Sequence, residues 1–252
     1  MANLIRSSGF NLRDYTPARV SLPTTGHSIT TGEVLSFQLA HAQARDAVHA
    51  QLNLASFGER LRAELPVTAE AGISVMQLET MATDRTTYLR RPDLGRSLHP
   101  DSVARLRAGS YDLAIVVADG LSALAIERHA IPLLHELLPL LLSAGWTMGP
   151  LALVRHGRVA IGDAIGSLIG ASLSLVLIGE RPGLSSPASL GAYITWGPRA
   201  DRTDADRNCV SNIGAGGLSP DAATSKIFWY LQEGRARRIT GVSLKDGSLD
   251  LP

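Results

Sequence analysis

Apolar and polar positions divide the chain into two unlike stretches. The first third shows no strand-like run, and Val34-Leu-Ser-Phe-Gln-Leu-Ala40 follows Thr30-Thr-Gly-Glu33, the spacing of a capping box that satisfies the open amides of a first helical turn. The pattern predicts one helix over residues 31–52 and a second over 56–65, which Pro66 ends. Beyond Thr86 the character changes. Asp112-Leu-Ala-Ile-Val-Val-Ala118 is a continuous, β-branched-rich run of the buried-strand kind, and it stops at Asp119-Gly120 before a helical stretch over 121–144 closed by Gly145. Pro139 is expected to kink that helix. Further strands are predicted over 150–155, 173–178 and 192–196, with a short helix over 163–169. A last helix begins at N-cap Ser219 with Pro220 in its first position and ends near Gly234.

Alternating strands and helices imply an α/β fold: a mostly parallel sheet with flanking helices, preceded by an N-terminal helical arm. The division falls at Pro66, giving a helical region over 1–66 and an α/β domain over 67–252. In an open parallel sheet, ligands sit beyond the carboxyl ends of the strands. The residues there are Asp119-Gly-Leu-Ser122, His156-Gly-Arg-Val159, Gly179-Glu-Arg-Pro-Gly183 and Gly197-Pro-Arg199, and all four are expected to share one rim.

Composition narrows the class. With 45% hydrophobic and 19% charged residues and a formal net charge of +1, the chain is an ordinary globular one. Only Lys226 and Lys245 are lysines, and the arginines form no stripe that would suit nucleic acid. The N-terminal segment Met-Ala-Asn-Leu-Ile-Arg-Ser-Ser-Gly-Phe-Asn-Leu-Arg-Asp-Tyr15 has no apolar core of a secretion signal, and the greasy stretch over 132–142 is broken by His135 and Glu136 and too short to span a bilayer. One cysteine, Cys209, allows no internal disulfide, which favours the cytoplasm.

Chemistry-bearing patterns are sparse. Gly214-Ala-Gly-Gly-Leu-Ser219 resembles half of a dinucleotide fingerprint, but it precedes the last helix instead of the first strand–helix unit, so a helix entry is the better reading. There is no P-loop and no Gly-x-Ser-x-Gly elbow. The seven histidines lack metal-ligand spacing, and no neighbour of Cys209 beyond Arg207 favours a thiolate. The residues alone reach a strand-end site and no reaction, and assign neither a catalytic residue nor a metal ligand.

Six ordered segments go further: Tyr88-Leu-Arg-Arg-Pro-Asp-Leu-Gly-Arg96, Ala118-Asp-Gly-Leu-Ser122, Val154-Arg-His-Gly-Arg-Val159, Ile178-Gly-Glu-Arg-Pro-Gly-Leu184, Asp206-Arg-Asn-Cys-Val-Ser-Asn-Ile213 and Thr240-Gly-Val-Ser-Leu-Lys-Asp246. At matching separations they resemble the small subunit of ethanolamine ammonia-lyase. The resemblance implies a Rossmann-like domain that covers one side of adenosylcobalamin at the interface with a larger TIM-barrel subunit. It also implies a higher hetero-oligomer and radical conversion of ethanolamine to acetaldehyde and ammonia. By the same resemblance, Val159, Glu180 and Cys209 match the family's cobalamin contacts. No histidine lies in an Asp-x-His-x-x-Gly motif, so the cofactor is expected to keep its own dimethylbenzimidazole on cobalt. By the same resemblance, the chain is expected to lack the longer N-terminal extension that some relatives carry and that is associated with bacterial microcompartments. Cytoplasmic placement is expected, inside or outside a bacterial microcompartment. The rival functions are a noncatalytic cobalamin- or nucleotide-binding module and a Rossmann oxidoreductase.

Overall fold

The structure is a computed structural model and describes residues 12–16 and 18–247. Most of the N-terminal segment read as lacking a secretion signal therefore lies outside the described residues. A two-stranded hairpin, β1 (Thr24–Thr25) and β2 (Ser28–Ile29), leads into α1 (Thr31–His49), α2 (Leu54–Glu64) and the single turn α3 (Val67–Glu70). Then come β3 (Val75–Glu79), α4 (Arg85–Arg90), α5 (Pro100–Arg105), β4 (Tyr111–Ala118) and α6 (Ala123–Ser143). The chain continues through β5 (Leu151–Arg155), α7 (Ile161–Ile169), β6 (Ala171–Gly179), β7 (Leu190–Trp196), β8 (Arg207–Ile213) and α8 (Pro220–Arg237).

Strands β3 to β8 form one mixed sheet in the order β3-β5-β4-β6-β7-β8. β3, β5, β4 and β6 run parallel; β7 is antiparallel to both its neighbours, so β8 again points the way of β6. The core follows from the two-residue period of a strand. Leu113, Ile115 and Val117 of β4 face a cluster built with α2, α6 and α8, whereas Ala114, Val116 and Ala118 face the other side, against Ile161, Ile165 and Ile169 of α7. Because α6 and α7 cover opposite faces, the chain leaves the ends of neighbouring β4 and β5 in opposite directions. A crevice opens between those two ends.

Several expectations need correcting. The first third does contain strands: β3 is a five-residue edge strand, Val-Met-Gln-Leu-Glu, with only Leu78 fully buried, so its sequence lacks a continuous apolar run. Residues 207–213 also form an edge strand, although Arg207, Asn208, Ser211 and Asn212 make them look like a loop. Arg207 is buried because Asp163 takes its guanidinium bidentately, with Nη1 to Oδ1 and Nη2 to Oδ2 both 2.7 Å. Asn208 is buried because its amide bonds the backbone of Gly241 and Leu244. The capping box at α1 does not form: Thr30 makes no side-chain cap, and the Glu33 carboxylate pairs with Arg13 at 2.9 Å instead. Finally, Gly197-Pro-Arg199 is not on the shared rim. β7 runs antiparallel, so its end returns to the start of β6, where the Gly197 amide donates to the Ser172 carbonyl at 2.8 Å.

Candidate functional site

Three of the four strand-end turns do meet. Gly120 adopts φ +58°, and a side chain there would place its Cβ 2.3 Å from the Gly179 carbonyl oxygen. Gly179 in turn has no room for a Cβ, which would lie 2.0 Å from the Ser122 carbonyl oxygen. The two glycines let the turn after β4 lie flat on the end of β6, and the Leu121 amide seals the contact by donating to the Gly179 carbonyl at 2.8 Å. Ser122 caps α6 from the same turn and donates its hydroxyl to the Pro187 carbonyl at 3.0 Å.

Glu180 is the next residue, and its position is fixed at both ends. Its amide donates to the Ser189 carbonyl at 3.0 Å, and its Oε2 accepts from the Asn212 amide at 3.1 Å. Oε1 accepts no hydrogen bond among the described residues. Gly191 leaves the space it occupies: a Cβ at that position would sit 2.8 Å from Oε1.

Val159 closes the opposite side of the same cleft. It lies on the turn after β5, where His156 takes φ +56° and uses Nδ1 to donate to the Ala82 carbonyl at 2.9 Å. That turn rests on the fully buried Tyr88, whose ring stacks on His156 at 5.6 Å and whose hydroxyl donates to the Gly157 carbonyl at 3.1 Å. Burial holds the Tyr88 phenol far above its ordinary range, so it remains a neutral platform. The Arg158 guanidinium lies 4.1 Å from the centre of the same ring. Gly95 completes the support, since a Cβ there would meet the His156 carbonyl oxygen at 2.8 Å, and its own carbonyl accepts the Arg158 amide.

Together these elements enclose a cleft of about 200 Å³ lined by Val159, Glu180, Tyr88, Leu121, Ile178 and Tyr193, with Arg158 and Arg181 at its polar margin. Cys209 does not line it, but in the strand register it stands directly opposite Tyr193. Although Cys209 is an exposed residue, partial desolvation of its sulfur raises the thiol above its usual range, a contact with the Tyr193 hydroxyl opposes that shift, and the nearby charge of Glu180 adds to it. The thiol is thus uncharged at neutral pH. Val159 and Glu180 therefore share the cleft with Tyr193, and Cys209 stands opposite Tyr193 on the neighbouring strand. Tyr193 and Tyr88 went unassigned from sequence, although Tyr88 opens the first of the six segments.

Beneath the rim, in the crevice between β4 and β5, lies Asp119. It is 4% exposed, and its Oδ1 has no hydrogen-bond partner. Burial pushes its carboxyl upward, while His156 and Arg85 pull it back. Arg85 itself is a buried clamp, donating to the carbonyls of Val48, Gly120 and Leu121 and so tying the end of α1 to the turn after β4. Among the described residues there is no group of three or more His, Cys, Asp or Glu placed to hold a metal, and no helix is long and apolar enough to cross a membrane.

Comparison with known proteins adds the rest. Residues 7–245 match the family described as ethanolamine ammonia-lyase light chain (EutC). The ethanolamine ammonia-lyase small subunit of Azotobacter vinelandii is 51% identical over 241 residues, covering 93% of this chain and 87% of that protein. The small subunits of Pseudomonas paraeruginosa and Pseudomonas putida are 51% and 48% identical, each over 93% of this chain and 86% of the relative.

Proposed function

The chain belongs to the ethanolamine ammonia-lyase light-chain family, and from that membership we propose that it holds adenosylcobalamin at the rim of its sheet, facing the large subunit. As the small subunit of an ammonia-lyase, it acts only with that partner. The observation that carries the cofactor reading is Glu180, a fixed carboxylate with one oxygen free beside an apolar cleft. The periphery of a corrin bears neutral amides, which donate N–H groups, and a carboxylate with a spare lone pair is the matching acceptor.

Size supports the same assignment. Drug-sized ligands fill about 300–1,000 Å³, and a corrin is larger, so a cleft of about 200 Å³ takes only its edge. A second protein surface must enclose the rest. When bound, adenosylcobalamin supplies the radical chemistry that turns ethanolamine into acetaldehyde and ammonia. This chain's residues bind and orient: Glu180 Oε1 accepts from a corrin amide, Val159 and the uncharged Cys209 give small apolar contacts, and Tyr193 holds Cys209 and Glu180 to one side. None of these residues forms a proton-transfer pair, so substrate handling belongs to the large subunit, which we take to be a TIM barrel within a higher hetero-oligomer. The sheet, with one antiparallel strand in an otherwise co-directional set, is read as Rossmann-like, and α1 and α2 as its helical arm.

Ammonia release from ethanolamine, measured with adenosylcobalamin present, tests this. The chain alone should release none, and co-expression with the large subunit should restore turnover. Turnover by this chain alone would overturn the reading.

A further inference from the structure

Beside the cleft, and sharing Arg158 and Val159 with it, is a second cavity of about 330 Å³. Four arginines line it: Arg96, Arg158, Arg202 and Arg207. Two of them are already neutralised. Arg207 is held bidentately by Asp163 and lies 3.5 Å from Asp204, and Arg202 pairs with Asp206 at 3.3 Å. The other two are not. Arg96 makes no side-chain hydrogen bond or ion pair among the described residues. Arg158 has no carboxylate partner; its Nη2 donates to the Tyr88 carbonyl at 3.0 Å, while its Nε is buried without any acceptor. A buried guanidinium N–H left unpaired is costly, and its position on a rigid tyrosine platform fixes it in place. Two unneutralised guanidinium groups therefore face one cavity, the arrangement that suits a phosphate oxygen.

We propose that this arginine-lined cavity is a phosphate-ester site, and that its occupant is the phosphodiester in the nucleotide tail of the bound cofactor. The proposal rests on the cofactor-holding reading above, because the cavity shares Arg158 and Val159 with the cleft. Glu180 and the arginines then divide the ligand by charge. The carboxylate takes the amide-bearing corrin edge, and Arg96 with Arg158 takes the single negative charge of the tail.

The test is equilibrium titration of the assembled complex with adenosylcobalamin and with adenosylcobinamide, which lacks the phosphate and nucleotide. Arg96→Ala is the variant of choice, since Arg96 is exposed and has no partner whose loss would unsettle the fold. The expected result is a loss of affinity of about tenfold for adenosylcobalamin and no change for adenosylcobinamide. Arg96→Lys should restore part of the loss. Equal weakening of both ligands, or of neither, would overturn the proposal. Inorganic phosphate separates the other source: a thermal shift in phosphate against chloride of equal ionic strength, abolished by Arg96→Ala without any difference between the two corrinoids, would assign the cavity to free phosphate and refute the cofactor tail. If the unaltered complex binds neither corrinoid, it is the cofactor-holding reading that fails.

Discussion

Gly191→Ala perturbs the site without touching any charge. Gly191 lies in β7 opposite Ile178, and the added Cβ would meet Glu180 Oε1 at 2.8 Å, its Cγ at 3.1 Å and Tyr193 Cε2 at 3.1 Å. The nearest atom is the far end of a flexible side chain, so the carboxylate moves and the strand does not. Gly191 has no positive φ, so alanine suits its backbone, and a strand glycine is entropically costly. Displacing Glu180 removes one charge-assisted hydrogen bond to the corrin, worth about 1.5–3 kcal/mol, or roughly tenfold to a hundredfold in affinity. Glu180→Ala should cost the same. The decisive comparison is the double variant, since two changes acting through one group do not add. Visible-absorbance titration of the assembled complex with adenosylcobalamin should place Gly191→Ala, Glu180→Ala and the double variant within a few-fold of one another, with melting temperatures near that of the unaltered complex. Unchanged affinity for Gly191→Ala, or additive losses in the double variant, would show that Gly191 does not act through Glu180.

Three further outcomes are expected, the first two from the structure and the third from the sequence. Asp163→Ala strands the buried Arg207 guanidinium and should destabilise the chain by about 3–5 kcal/mol, lowering its melting temperature by on the order of 10 °C, whereas Asp204→Ala, at an exposed partner, should leave it nearly unchanged. Burial raises the Asp119 carboxyl in the folded state, so its contribution to stability is complete below the ordinary Asp value of 3.8 and is lost as pH rises through the folded value. Asp119→Asn removes that loss, and its stability relative to the unaltered chain should therefore increase from acid to neutral pH in denaturant titrations. Electron paramagnetic resonance of the cob(II)alamin state should show axial nitrogen splitting indifferent to nitrogen-15 labelling of the protein's histidines; splitting that changes with the label would reveal a protein ligand.

Much of this architecture was legible from the residues. The central strands β4 and β6 are buried on both faces and so read as unbroken apolar runs, and Ser219-Pro220 announces α8. The edge strands were not legible. β8 owes its burial to an ion pair with α7 and to hydrogen bonds that the Asn208 amide donates to the carbonyls of Gly241 and Leu244, contacts far away in sequence. The rule that ligands gather beyond strand ends found the turns carrying Val159 and Glu180, but it misplaced Gly197-Pro-Arg199 because the direction of β7 leaves no mark in its own composition. The same antiparallel register brings Cys209 opposite Tyr193 and puts Gly191 under Glu180. A glycine inside a short strand carries no signal of what it makes room for.

A structure of the assembled complex with adenosylcobalamin bound measures the central claim directly, through the distance from Glu180 Oε1 to the nearest corrin amide nitrogen. Hydrogen-bond length, about 2.7–3.2 Å, is expected, with Val159 against the same corrin edge and Cys209 beside it across Tyr193. A cofactor seated away from this rim, with Glu180 facing only solvent or the large subunit, would contradict it.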